Sequence, residues 1–175
     1  MRVKRKVPAT ILQKIYSRSD LVVRVAADQK AGEHIVFTNG CFDLIHIGHT
    51  RYLAEAKSLG DRLVVGINSD NSVRQLAKGE GRPIVPAEQR AEILAALACV
   101  DYVTIFDEPD PLALIQALQP NILVKGGDWA TDRIVGKEFV EARGGSVQNI
   151  SLVPNISTTA IVQRILANNP VKSFR

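Results

Sequence analysis

Two histidines three residues apart, His46 and His49, stand where a short β-branched run gives way to a helical pattern. That run, Ile35-Val-Phe-Thr38, continues as Asn39-Gly-Cys-Phe-Asp-Leu-Ile-His-Ile-Gly-His-Thr50, with the helix beginning around Gly48. At such a turn the first backbone N–H groups of the helix lack intrahelical partners and the helix dipole favours negative charge, so the corner is a ready phosphate site. Imidazoles spaced i, i+3 add two side-chain donors on one face of the helix start. Gly40 and Gly48 let backbone approach a phosphate closely, where a Cβ would intrude. The pair also has plainer readings: a buried polar contact, a solvated helix start, or a metal site. Zinc asks for a third and fourth ligand, yet His34 precedes the strand and only Cys41 is near.

Other loops carry groups suited to the same chemistry. Lys78-Gly-Glu-Gly-Arg-Pro83 is glycine-rich with two cations, Lys78 and Arg82, and reads either as a lid over a polyphosphate or as a solvated loop. Arg90 falls early in a helix, where a cation opposes the dipole and so answers some other demand. Lys125-Gly-Gly-Asp128 follows a strand directly, which places it on the ligand edge of a sheet or makes it a tight turn. Trp129 beside it either stacks on a base or packs. Asp43 is placed to orient His46 or an incoming ligand. Ser157-Thr158-Thr159 opens the last helix, where hydroxyls and N–H groups can reach phosphates while Ser157 also caps. No dense acidic cluster builds a metal cage, so no protein metal ligand is expected; Mg²⁺ would arrive with a triphosphate and keep several waters. Neither GxGxxG nor GxxxxGK[ST] occurs, which argues against an ordinary dinucleotide or P-loop site.

The elements that must hold these residues alternate in type. Runs at 35–38, 63–67, 102–105, 122–124 and 146–150 predict strands; patterns at about 48–59, 70–77, 87–98, 110–118, 134–143 and 157–167 predict helices between and after them. Apolar strands joined by helices imply a parallel sheet covered on both faces: an α/β, Rossmann-like, doubly wound domain of five strands. Ligands then bind outside the carboxyl ends of the strands. Residues 9–31 predict one or two further helices, with Asp20 able to cap the second and Gly32 to end it. We divide the chain into an N-terminal helical extension (1–32), the sheet domain (33–168) and a C-terminal tail (169–175).

Composition narrows the classes. At 175 residues the chain suits one well-buried domain, and 46% hydrophobic with 23% charged residues is ordinary for a globular protein. No apolar stretch approaches a membrane span and the first residues lead into no signal-like run, so a cytoplasmic location without membrane association is expected. Two cysteines, Cys41 and Cys99, are too few for a disulfide framework and read as free thiols. A net charge of +4 suits anionic ligands, but scattered basic residues and 5% aromatics provide no stacking platform for nucleic acid.

The stretch Asn39 to His49 resembles the HxGH signature of the cytidylyltransferase-like nucleotidyltransferase superfamily. The resemblance continues through Leu59–Asp70, Arg82–Arg90, Leu123–Asp128 and Ile156–Ala160, and within the superfamily it is greatest to heptose 1-phosphate adenylyltransferases. It implies that AMP passes from ATP to a phosphorylated sugar by in-line attack on the α-phosphorus, with His46 and His49 catalytic. It further implies nucleotide contacts from Thr38, Asn39, Gly40, Cys41, Phe42, Gly48, Arg90, Lys125, Gly126, Asp128, Ser157, Thr158 and Thr159. Asp43, Lys78, Arg82 and Trp129 would face the sugar phosphate, and a homodimer is the expected assembly. Val162 stands where one form of the family's last motif has a base, and the nearest cation is Arg164. The rival readings are a cytidylyltransferase acting on glycerol 3-phosphate or another phosphorylated alcohol, and a non-catalytic nucleotide sensor.

Overall fold

The computed structural model describes residues 8–76, 81–127 and 134–168. Its strands are β1 (Ile35–Gly40), β2 (Arg62–Asn68), β3 (Tyr102–Phe106), β4 (Ile122–Gly126) and β5 (Ser146–Ile150). All neighbours pair in parallel, in the order β3-β2-β1-β4-β5. β1 is central, and the order reverses beside it, between β1 and β4. A crevice for ligands opens at such a reversal, because the connections on its two sides leave in opposite directions.

The helices are α1 (Ala9–Leu12), α2 (Arg18–Lys30), α3 (Ile47–Lys57), α4 (Asp70–Gln75), α5 (Ala87–Ala95), α6 (Leu112–Leu118), α7 (Lys137–Ala142) and α8 (Thr158–Asn168). Each strand and helix expected from the pattern is present, with ends displaced by a few residues. At the start of α2 the capping residue is Ser17, whose hydroxyl accepts from the Asp20 N–H at 3.2 Å; Asp20 sits inside the first turn, where its charge complements the dipole. Gly32, with a φ of 89°, follows the end of that helix.

Alternation along the strands divides the core in two. Val36, Leu63, Val65, Ile67, Val103 and Val124 face a layer built from Leu53 and Ala56 of α3 and from Ala91, Leu94 and Ala95 of α5. Ile35, Phe37, Val64 and Leu123 face the other way, against Leu21 and Val25 of α2, Leu114, Ile115 and Leu118 of α6, and Val140 of α7. A period of two along each strand thus becomes two apolar faces, each closed by helices. The N-terminal helix α2 is a full member of the second layer, since neither Leu21 nor Val25 keeps more than a trace of exposure.

Leu123 lies at the middle of that layer with no exposed surface. Leu123→Ala is expected to lower the unfolding free energy by about 2–5 kcal/mol, read from the urea midpoint at unchanged slope. A loss under about 1 kcal/mol would mean this face is not closely packed.

Candidate active site

The carboxyl edge of the sheet borders a cavity of about 860 Å³. The loop leaving β1 supplies its floor, and α3 enters from that loop. His46 is the N-cap residue of α3 and forms no capping hydrogen bond with its side chain, and the first turn carries no acidic residue. The positive end of the helix is therefore left for a ligand rather than neutralised from within.

His46 and His49 stack, with ring centroids 3.9 Å apart and planes 17° from parallel. The Phe42 and His49 rings meet in an edge-to-face arrangement, with centroids 5.1 Å apart and planes inclined by 61°. His46 Nδ1 is buried without a hydrogen-bond partner among the described residues. Desolvation pushes the His46 pKa below its ordinary value, so the free ring is neutral at pH 7. Gly48 makes the stacking possible: a Cβ there would lie 2.9 Å from His46 Cε1 and Nδ1 and 3.3 Å from Ile156 Cγ2. Any side chain at position 48 must displace the His46 ring.

Beneath the rings, the turn is tied down by buried polar contacts. Thr38 and Tyr52 share a hydrogen bond of 2.5 Å between their hydroxyls, and Tyr52 also reaches the Val124 carbonyl at 3.2 Å. That phenol joins β1, α3 and β4, and burial pushes its pKa up to about 12, so it stays protonated. Lys125 Nζ donates to Asn39 Oδ1 at 2.6 Å across the β1–β4 boundary. On the other side, Asn68 at the end of β2 donates to Ser72 Oγ at 2.9 Å and accepts a weak thiol contact from Cys41 at 3.7 Å.

Asp43 and Arg90 form two cross-ties to the segment before α5. The Asp43 carboxylate has no exposed surface; it pairs with Arg82 and accepts from the N–H groups of Ile84 at 2.9 Å and Val85 at 2.8 Å. Burial by itself would raise this carboxyl, but the Val85 and Ile84 N–H groups and the Arg82 guanidinium outweigh it and hold the pKa below the ordinary aspartate value. Arg90, equally buried, donates to Val85 O at 2.8 Å, Cys41 O at 2.6 Å and Asp70 Oδ1 at 2.7 Å.

At the far rim, Ser157 Oγ accepts from the Ala160 N–H at 3.1 Å and so caps α8, while Thr158 Oγ1 reaches the Leu44 carbonyl at 3.4 Å. All three residues of the Ser-Thr-Thr run line the cavity, and Ser157 also caps α8.

The structure brings Asn39, Gly40, Cys41, Phe42, Asp43, His46, Gly48, His49, Arg82, Lys125, Gly126, Ser157, Thr158 and Thr159 to one cavity. Thr38 and Arg90 do not line it; Thr38 hydrogen-bonds the lining residue Tyr52, and Arg90 the carbonyl of the lining residue Cys41. Lys78, Asp128 and Trp129 lie outside the described residues. Sequence reasoning missed Tyr52, Asn68, Asp110 and an apolar rim including Leu76, Val135, Leu152 and Ile156. Asn68 carried a usable signal, its place at the carboxyl end of a strand; Leu76, Val135 and Leu152 belong to no motif, while Ile156 opens the Ile156–Ala160 segment. Among the described residues, no group of three or more histidine, cysteine or acidic side chains is placed to hold a metal ion, and no helix is long and apolar enough to cross a membrane.

A doubly wound parallel sheet whose first strand delivers an HxGH turn to a cavity at the strand-order reversal defines a class, and the match over residues 37–164 agrees: the chain belongs to the cytidylyltransferase-like family. Among its relatives, bifunctional protein HldE from Pelobacter propionicus is 55% identical over 153 residues, covering 87% of this chain and 31% of its own length. Bifunctional protein HldE from Geobacter sulfurreducens is 55% identical over 142 residues, 81% of this chain and 29% of its own. The chain thus spans about a third of the length of these relatives. The crystal structure of a lipopolysaccharide core biosynthesis protein from Thermoplasma volcanium superposes with a TM-score of 0.58 at 30% identity, covering 70% of this chain and 98% of that one.

A carboxyl held below its unfolded pKa contributes stability that is complete above the unfolded value and is lost as pH falls through the folded one. Asp43→Asn is therefore expected to be less stable than the parent at pH 7, with the gap narrowing as the pH drops below about 4. Urea titrations at several pH values measure this; a gap constant through the acid range would show that the Asp43 charge is not what holds residues 82–85.

Proposed function

We propose that the chain is a nucleotidyltransferase that moves AMP from ATP to a heptose 1-phosphate, giving ADP-heptose and pyrophosphate. The observation that carries this reading is the stacked His46–His49 pair at the uncapped start of α3, inside the cavity at the strand-order reversal. The sugar comes from the sequence resemblance, supported by the 55% identity to bifunctional protein HldE and by the likeness to a lipopolysaccharide core biosynthesis protein.

The reaction asks for little covalent chemistry from the protein. An oxygen of the sugar phosphate attacks the α-phosphorus in line; the new P–O bond forms as the bond to the β-phosphate oxygen breaks, and pyrophosphate leaves with that electron pair. Negative charge grows on the equatorial and leaving oxygens, and fixed donors placed there lower the barrier without forming an enzyme intermediate. The two imidazoles and the N–H groups of the first α3 turn are such donors. The Nδ1 edge of His46 packs over Gly48, which leaves its Nε2 for the phosphate. Lys125 adds positive charge, and the Ser157–Thr159 hydroxyls and N–H groups suit the β- and γ-phosphates at the opposite rim. The apolar rim at Leu152 and Ile156 suits the flat face of a base. Mg²⁺ belongs to the substrate as MgATP. We further read residues 33–168 as the transferase unit with α1 and α2 as an extension docked on it, acting in the cytoplasm as a homodimer.

Pyrophosphate release measured over ATP and CTP against a panel of acceptors tests the reading. Turnover is expected with ATP and heptose 1-phosphate. His46→Ala and His49→Ala should each lower kcat roughly 10²–10³-fold with the fold intact. Turnover with CTP and glycerol 3-phosphate instead would overturn the choice of substrates, and undiminished rates in both variants would overturn the mechanism.

Gly48→Ala is expected to act through the same ring, lowering kcat by about 10-fold or more because His46 is pushed from its stacked position. Wild-type kcat in this variant would show that the close approach of Gly48 to His46 has no part in turnover.

A further inference from the structure

Among the described residues Arg90 is the largest side chain with essentially no exposure, and a buried guanidinium is retained only where its donors are matched. Its three partners belong to three segments: Val85 O before α5, Asp70 Oδ1 in the first turn of α4, and Cys41 O in the turn after β1. Of these partners Cys41 lines the cavity, whereas Val85, Asp70 and Arg90 itself do not. The Cys41 carbonyl is the acceptor that matters for chemistry. The next residue, Phe42, has a φ of 47°, in the left-handed region that a bulky residue rarely adopts. In that conformation its ring lies across Gly40, where a Cβ would be 3.0 Å from the Phe42 ring, and packs edge-to-face with His49.

We infer that Arg90 is a positioning residue: by gripping the Cys41 carbonyl, with Asp70 holding its other end, it fixes the left-handed turn at Phe42 and through that ring the orientation of His49. The family resemblance implies a nucleotide contact for this arginine; the geometry gives it a different task, carried out from behind the wall. Lysine cannot replace it, because one ammonium on a flexible stem does not span three acceptors held in a planar fork. The inference rests on the proposed transferase reading for its kinetic consequence, but not for its structural one.

The test pairs kinetics with the histidine ring signals. The chain has three histidines, so their ring resonances can be assigned by single substitutions. In Arg90→Lys, without nucleotide, the His49 ring signals are expected to shift while those of His34, far from the cavity, stay in place. In the same protein kcat should fall about 10²-fold, the loss that a displaced catalytic group causes, with the KM for ATP within about twofold of the parent. Asp70→Asn, at a partly exposed position and so tolerant of exchange, should move both readouts in the same direction by a smaller amount. A raised KM for ATP at unchanged kcat would overturn the inference in favour of direct nucleotide contact. Unmoved His49 signals in both variants would overturn it outright, including where Arg90→Lys fails to fold and Asp70→Asn alone is read. A parent chain with no adenylyl transfer would remove the proposed function and leave the His49 shift as the test of Arg90.

Discussion

Two imidazole rings stacked 3.9 Å apart cannot both carry charge cheaply: at an effective dielectric near 20, like charges about 4 Å apart repel by about 4 kcal/mol. Burial adds to this by pushing the His46 pKa down. The pair therefore does not carry two charges in the free protein, and His46 is held neutral beside the positive end of α3. A triphosphate changes the balance, because several negative charges at that corner stabilise imidazole N–H donors and any proton they gain. The rest of the architecture serves to keep this pair stacked and open to the cavity.

The support comes from elements distant in sequence. β1 is the central strand, so the turn that follows it has neighbours on both sides: β2 contributes Asn68 and β4 contributes Lys125. Tyr52 pins α3 to β1 and β4 from below, while Asp43 draws residues 82–85 over the turn. Arg90 closes the circuit from behind, and Gly48 leaves the space in which the His46 ring lies. The Tyr52 hydrogen bonds are neutral and worth roughly 0.5–1.5 kcal/mol each, those of Asp43 and Arg90 involve a charged group and are worth roughly 1.5–3 kcal/mol each, and the rigidity is shared among them.

What was legible in the sequence follows the range of the forces involved. Strand and helix order came through because apolar periodicity is local, and β-branched runs such as Leu63–Ile67 have few alternatives to a buried strand. The meeting of His46, Gly48 and His49 at the start of α3 was legible because they lie within four residues of one another. Asp20 was mistaken for the cap of α2 because Ser17, three residues earlier, answers the same requirement. Arg90 was recognised as anomalous at a helix start, yet its acceptors at positions 41, 70 and 85 depend on packing that no local pattern reveals. The apolar rim at Leu152 stayed hidden for the same reason: an isolated Leu in a loop carries no sign of the cavity it borders.

The central claim is that the triphosphate lies at the α3 corner, between the two rings and the first backbone N–H groups. A crystal structure with an ATP analogue carrying a methylene group between the α- and β-phosphates tests it most directly. The account predicts phosphate oxygens at about 3 Å from ring nitrogens of both His46 and His49, the hydrogen-bond range, with the base toward the Leu152–Ile156 rim. Phosphates bound elsewhere on the sheet edge, with neither ring in contact, would contradict it.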